Sequence, residues 1–227
     1  MDKLTIKTQA EIEIMAEGGK KLARIRDEAV RAVEPGMTTA QLDKLVDELM
    51  AKAGGKASFK MVRGYHHATC ININDIVVHG MPGNYKIKSG DKVGIDLGLY
   101  YKGFHTDTSV TIGDDRYKKF LQVGRDALQL SIAQARPGKR IGHGIGKNLH
   151  EDPAIPCFVV GKYEHSPKIV AGMALAIEIM YNEGGLEVAY ENDDGWTIVT
   201  SDGKISGLFE ETVAVTKSGP VVLTQSR

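Results

Sequence analysis

The chain has 227 residues, 42% hydrophobic and 26% charged, with Lys plus Arg and Asp plus Glu balanced at 29 each. That length supplies a core for one domain or two closely joined halves, and the charge balance excludes a global basic footprint for nucleic acid and an acidic tail. Two cysteines, Cys70 and Cys157, are too few for a disulfide scaffold and point to a reducing cytoplasm. Residues 1–7 carry no apolar leader core, and no run reaches membrane-spanning length.

Residues 8–33 read as a helix. Thr8 and Glu11 have capping-box spacing, and Ile12, Met15, Leu22 and Ile25 form an approximately helical apolar stripe that ends at Pro35 and Gly36. A second helix is expected at 39–52, capped by Thr38 or Thr39, with Leu42, Leu45, Val46 and Leu49 buried and Gly54 and Gly55 as its stop. Residues 70–79 read as a strand or hairpin with Asn74 and Asp75 at a turn. Two strands follow across 93–110, joined near Tyr101, Lys102 and Gly103. A third helix is expected over 114–135, then a glycine-rich stretch at 142–146, then strands at 171–181, 197–201 and 208–216. A weak repeat runs through this order. Pro35 and Pro137 each open a Pro-Gly pair after a helix, but His79 lies 44 residues beyond the first and His143 only six beyond the second. If the halves, about 1–112 and 113–227, arose by duplication, the second lacks a helix and a strand.

Five side chains of metal-binding type punctuate this pattern. A hairpin centred between Tyr101 and Lys102 places Asp96 directly opposite Asp107, about 5 Å away on one face. Two carboxylates so placed repel unless a cation lies between them. His143 sits between glycines, which suit a close approach of backbone to a ligand; the spacing of Gly142, Gly144 and Gly146 does not fit a dinucleotide fingerprint. Glu178 interrupts the apolar run MALAIEIM, where it either binds a metal or faces water from an edge strand. Glu210 and Glu211 are adjacent, so strand alternation sends them to opposite faces without saying which faces a site. His79 and His150 are candidates for proton transfer or oxyanion stabilisation if they lie near the metal, and His105 for support of Asp107. Oxygen ligands with one imidazole suit a hydrolytic divalent metal.

Nearly the whole chain resembles the type I methionine aminopeptidases, members of the M24 metallopeptidases with the pita-bread fold. The resemblance rests on CININDIVVHGMP (70–82), GDKVGIDLG (90–98), GFHTDTS (103–109), GHGIG (142–146), HEDP (150–153), IEIM (177–180), DGWT (194–197) and FEET (209–212). It implies an α+β fold, a pseudo-twofold curved antiparallel sheet covered by helices, in a single catalytic domain. It also implies two divalent ions (Co, Mn, Fe or Zn) on Asp96, Asp107, His143, Glu178 and Glu210, with Asp107 and Glu210 bridging and Glu210 selected over Glu211. A metal-bridged hydroxide attacking the first peptide carbonyl would release the initiator methionine. In that scheme Glu178 carries the proton, His150 binds the carbonyl oxygen and His79 contacts the scissile nitrogen. Tyr65, Cys70 and Trp196 would line the methionine pocket. The partners implied are peptide and nascent-chain N-termini, with transient ribosome contact, no specific nucleic acid and no membrane; a monomer is expected.

Three departures stand out. Some two dozen residues of the family pattern, a helix and a strand, are missing between Asp107 and His143, with the gap between Arg140 and Gly142. Met61 and Val62 replace a Gly-aromatic pair, and Tyr65 and His66 an aromatic-Pro pair. Ile179 stands where a proline commonly follows the glutamate ligand. Two alternatives are a same-fold Xaa-Pro peptidase, against which the short N-terminal region argues, and a non-catalytic binding protein, against which the intact ligand set argues.

Overall fold

A computed structural model describes residues 5–138, 143–151 and 168–226. The expected gap between Arg140 and Gly142, Cys157, and Asp152 and Pro153 of the HEDP motif lie outside the described residues.

The first helix, α1 (Gln9–Ala32), starts at Thr8, whose side chain accepts from the Glu11 N–H while Glu11 bonds back to the cap. The second, α2 (Thr39–Lys52), carries the same reciprocal cap between Thr38 and Gln41, which settles the cap on Thr38. Each box satisfies amide donors that a helix start leaves open. The third expected helix begins later than its pattern suggested. Asp114 caps a short 3₁₀ turn at Asp115–Tyr117, and α3 runs over Lys118–Gln134.

The strands are β1 (Lys56–Ala57), β2 (Thr69–Ile73), β3 (Ile76–Val78), β4 (Val93–Tyr101), β5 (Phe104–Ile112), β6 (His143–Gly144), β7 (Ala174–Asn182), β8 (Val188–Tyr190), β9 (Ile198–Thr200), β10 (Ser206–Thr216) and β11 (Gly219–Val222). The main sheet runs β1-β4-β5-β10-β7-β6, with β2 on β4 and β11 on β10; a smaller sheet runs β3-β9-β8. β2 and β3 flank the expected turn at Asn74 and Asp75, but they do not form a two-stranded ladder: β2 pairs with β4 and β3 with β9.

The main sheet is covered by helices on one face. Val93, Ile95, Leu97 and Leu99 of β4 pack with Leu22 and Ile25 of α1 and Leu42 and Val46 of α2. Leu175, Ile177, Phe209 and Val213 pack with Leu121, Leu128 and Ile132 of α3. Strand alternation therefore turns Asp96, Glu178 and Glu210 to the opposite face. Among the described residues, α1 and α2 thus lie on the sheet at β4, and α3 lies on it at β7 and β10.

Candidate metal centre

Register explains how the carboxylates meet. In the central ladders Asp96 pairs with Ser109, Ser109 with Glu210, and Glu210 with Glu178. Directly paired residues share a face, so four adjacent strands, each about 4.8 Å from the next, bring three carboxylates into one row. Asp107 occupies the neighbouring row, opposite Gly98 and hydrogen-bonded through its N–H to the Thr212 hydroxyl at 2.8 Å. His143 pairs through its backbone with Ala176, which pairs with Thr212, so its register position falls in that second row. Its side chain lies outside what is described.

The expected pairing of Asp96 with Asp107 is corrected here. The turn comprises Lys102 and Gly103, both with positive φ (46° and 92°), and Tyr101 pairs with Phe104. Two residues with φ > 0 form the tight hairpin turn whose twist matches its strands. The hairpin centre moves one residue along, and Asp107 becomes the diagonal neighbour of Asp96. Because the partner shifts by two positions, the shared face survives. Glu178 is not on an edge strand either, since β7 lies between β10 and β6.

Asp96, Asp107 and Glu210 are buried, and one carboxylate oxygen from each lies within 4.8 Å of the others. Asp96 Oδ1 is buried without a hydrogen-bond partner. Burial raises the pKa of all three well above the carboxylate range, and neighbouring carboxylates reinforce the effect: Asp107 on Asp96, Glu178 on Asp107, Asp107 on Glu210. Burial also pushes Glu178 up to about 7. The described lining of this cavity includes these four carboxylates and no lysine or arginine. An orphaned buried oxygen and clustered carboxylates held at high pKa fit a divalent cation, which supplies the missing charge. Glu211, as alternation required, faces the other way, toward Arg26 at 3.0 Å and Thr224.

The cavity, about 110 Å³, is also lined by His79, His150, Tyr65, Cys70 and Trp196, so every expected site residue except His143 is seen to reach it. His79, at the end of β3, has φ 58°, an uncommon conformation for a non-glycine residue and one that clusters at functional sites. Burial lowers the pKa of His79 and His150, favouring neutral imidazoles; His150 adds a smaller push on His79. Tyr65 meets Trp196 edge-on at 5.1 Å, and its hydroxyl donates to the Thr69 carbonyl (2.8 Å) and lies 3.2 Å from Cys70 Sγ. Phe59 meets Tyr65 edge-on at 6.3 Å. Phe59, Val62, Val78 and Leu149 join the lining without a distinguishing sequence signal.

The Tyr65–Cys70 wall is set from α2. Asp43 accepts from the Ala68 and Thr69 N–H groups (2.9 and 2.8 Å) and the Thr69 hydroxyl (2.7 Å). Asp43→Ala leaves these buried donors unsatisfied, with an expected loss of about 2–4 kcal/mol. Thermal melts should show it; an unchanged melt would refute this role.

A helix-covered antiparallel sheet turns a row of buried carboxylates of metal-binding type into a cavity shared with histidines and aromatic rings, and the chain belongs to metallopeptidase family M24. The family model matches residues 13–141 and 139–217. The methionine aminopeptidase of Clostridium perfringens is 37% identical over 248 residues, covering 97% of this chain and 98% of that protein. Methionine aminopeptidase 1 of Bacillus subtilis is 36% identical over 247 residues, covering 96% of this chain and 98% of that one. The crystal structure of methionine aminopeptidase from Thermotoga maritima superposes with TM-score 0.90 at 36% identity, over 98% of this chain and 100% of that one. The prolidase from Pyrococcus furiosus, at 21% identity and TM-score 0.77, covers 99% of this chain and 66% of that one and shares the fold. The fold is the pita-bread fold. An alignment of 248 residues exceeds the 227 of this chain, and the family match breaks at 139–141, where the sequence pattern located the missing segment.

Proposed function

We propose that this protein is a metal-dependent aminopeptidase that removes methionine from the N-termini of peptides and nascent proteins. Near end-to-end similarity to methionine aminopeptidases carries the reading; the carboxylate row beside a pocket of Phe59, Tyr65, Cys70 and Trp196 supports it. The Xaa-Pro alternative is not favoured, because the prolidase likeness is one of fold alone.

Asp96, Asp107, His143, Glu178 and Glu210 would hold two divalent ions, Mn, Fe, Co or Zn, according to cellular availability. Bound there, such ions lower the pKa of water toward neutrality and polarise a peptide carbonyl. Glu178, one of the carboxylates facing the cavity, would take and return a proton at the site. Neutral His150 can donate a hydrogen bond to a carbonyl oxygen as its charge develops, and neutral His79 can contact the scissile nitrogen. Aromatic edges and the buried Cys70 suit a polarisable thioether. The same reading takes the two halves as one catalytic domain, acting as a cytoplasmic monomer in transient contact with the ribosome. No described helix is long and apolar enough to cross a membrane.

The test compares methionine release from Met-Ala-Ser, its N-acetylated form and Ala-Pro-Ser by manganese-loaded protein. Release from the first peptide alone is expected. Cleavage of Ala-Pro-Ser, or of the acetylated peptide at a similar rate, would contradict the assignment.

A further inference from the structure

Outside the ligand set, the chain buries an ion pair that the chemistry above does not use. The Lys7 ammonium meets the Glu151 carboxylate at 2.5 Å, and the two side chains are only 2% and 4% exposed. Lys7 is held independently by its backbone, whose N–H donates to the Gly172 carbonyl at 2.7 Å. Glu151 follows His150 directly, and its other oxygen accepts from the Asn148 N–H at 3.1 Å. The Lys7 stem passes so close to Gly146 that a Cβ there would lie 2.5 Å from Lys7 Cε. Gly146 in turn accepts from the His105 N–H of β5 at 2.6 Å. The segment 145–151 is therefore fixed at one end by the main sheet and at the other by a lysine 144 residues away in sequence.

We propose that Lys7 is a positioning residue: through its buried pair with Glu151 it fixes the 145–151 segment and so holds His150 toward the metal-site cavity. Two observations favour this over a purely stabilising role. Leu149 and His150, next to the paired glutamate, both line the cavity. A buried ion pair is also a weak source of net stability beside an apolar pair of similar volume, whereas its fixed geometry permits one placement of the loop. A small misplacement of a catalytic group, made by a change remote from the chemistry, costs up to about 100-fold in rate. The inference rests on the role proposed for His150, and the experiment separates the two.

Lys7→Met, Glu151→Gln, the double variant and His150→Ala are each prepared as the full chain. Measurements are kcat and KM for Met-Ala-Ser with manganese, manganese affinity by calorimetry, and the histidine ring resonances of the metal-free protein. Each single change at the pair should lower kcat about 10- to 100-fold, with KM and manganese affinity nearly unchanged. The His150 resonance should move further than that of His79. The double variant should lose no more than the worse single. If Lys7→Met does not fold, Lys7→Arg, which keeps the charge, should retain most of kcat, and Glu151→Gln carries the comparison. Wild-type kcat in folded variants, or a loss confined to KM or manganese affinity, would overturn the clamp while leaving the aminopeptidase reading intact. Wild-type kcat in His150→Ala would instead remove the role of His150 on which the clamp depends.

Discussion

Glu210→Gln should stabilise the metal-free protein and inactivate the enzyme. Glu210 is buried in β10, its pKa raised first by burial and then by Asp107, Glu178 and Asp96. Above neutrality the metal-free chain must either carry that charge among other carboxylates or keep a proton that the unfolded chain releases. Glutamine preserves the shape and removes the conflict. The expected gain at pH 8 is about 1–3 kcal/mol, or roughly 2–4 °C in melting temperature per kcal/mol for a chain of this size. In the proposed site the same change takes away an oxygen ligand, so manganese affinity should drop and methionine release should fall on the order of 1000-fold or more. Opposite signs for stability and activity distinguish a metal ligand from a carboxylate retained for the fold. A metal-free Glu210→Gln protein that melts lower than the wild type would count against the site.

The second large effect is the dependence of metal-free stability on pH. The folded-state pKa values of Asp96, Asp107, Glu178 and Glu210 are raised, that of Glu178 to about 7. For a raised carboxylate the folded chain binds the proton more tightly than the unfolded chain. Its stabilising contribution is full below the unfolded value, near 4–4.5, and is lost as pH rises through the folded value. For Glu178 the window is therefore about pH 4.5 to 7, and for the other three the decline continues upward. Each such group contributes a slope of up to about 1.4 kcal/mol per pH unit. Melts of chelator-treated protein should peak near pH 5 and fall toward pH 8, and manganese at pH 8 should recover the loss because it binds the ionised carboxylates. A metal-free melting temperature that rises from pH 5 to pH 8 would show that these groups do not titrate as buried acids.

Much of this was readable in the chain, for physical reasons that differ from part to part. The first helix was legible because Thr8 with Glu11 writes its start; the second was legible from its apolar stripe and the stop at Gly54 and Gly55, while its cap, open between Thr38 and Thr39, needed the Gln41 bond that the structure shows. Asp96 and Glu178 stood out because a carboxylate in an apolar strand needs a counter-charge, whereas alternation left Glu210 and Glu211 open and only the family resemblance chose between them. The pairing of Asp96 with Asp107 was misread because the turn lies at Lys102 and Gly103, one residue further on. The shared face nevertheless came out correctly, since side-chain alternation has period two. The partners of β2 and β3, and the position of β7 inside the sheet, depend on distant strands and leave no local mark. The same holds for Asp43 beneath the pocket wall and for Lys7 against Glu151: a buried polar residue in sequence shows that a partner is needed, but not which one.

The most direct test of the central claim is metal add-back to chelator-stripped protein, following release of methionine from Met-Ala-Ser as manganese is titrated in. The account predicts no release before addition, a rise with metal that saturates at about two ions per chain, and abolition on renewed chelation. Full release by stripped protein, or none from folded protein with manganese, iron, cobalt or zinc, would contradict it.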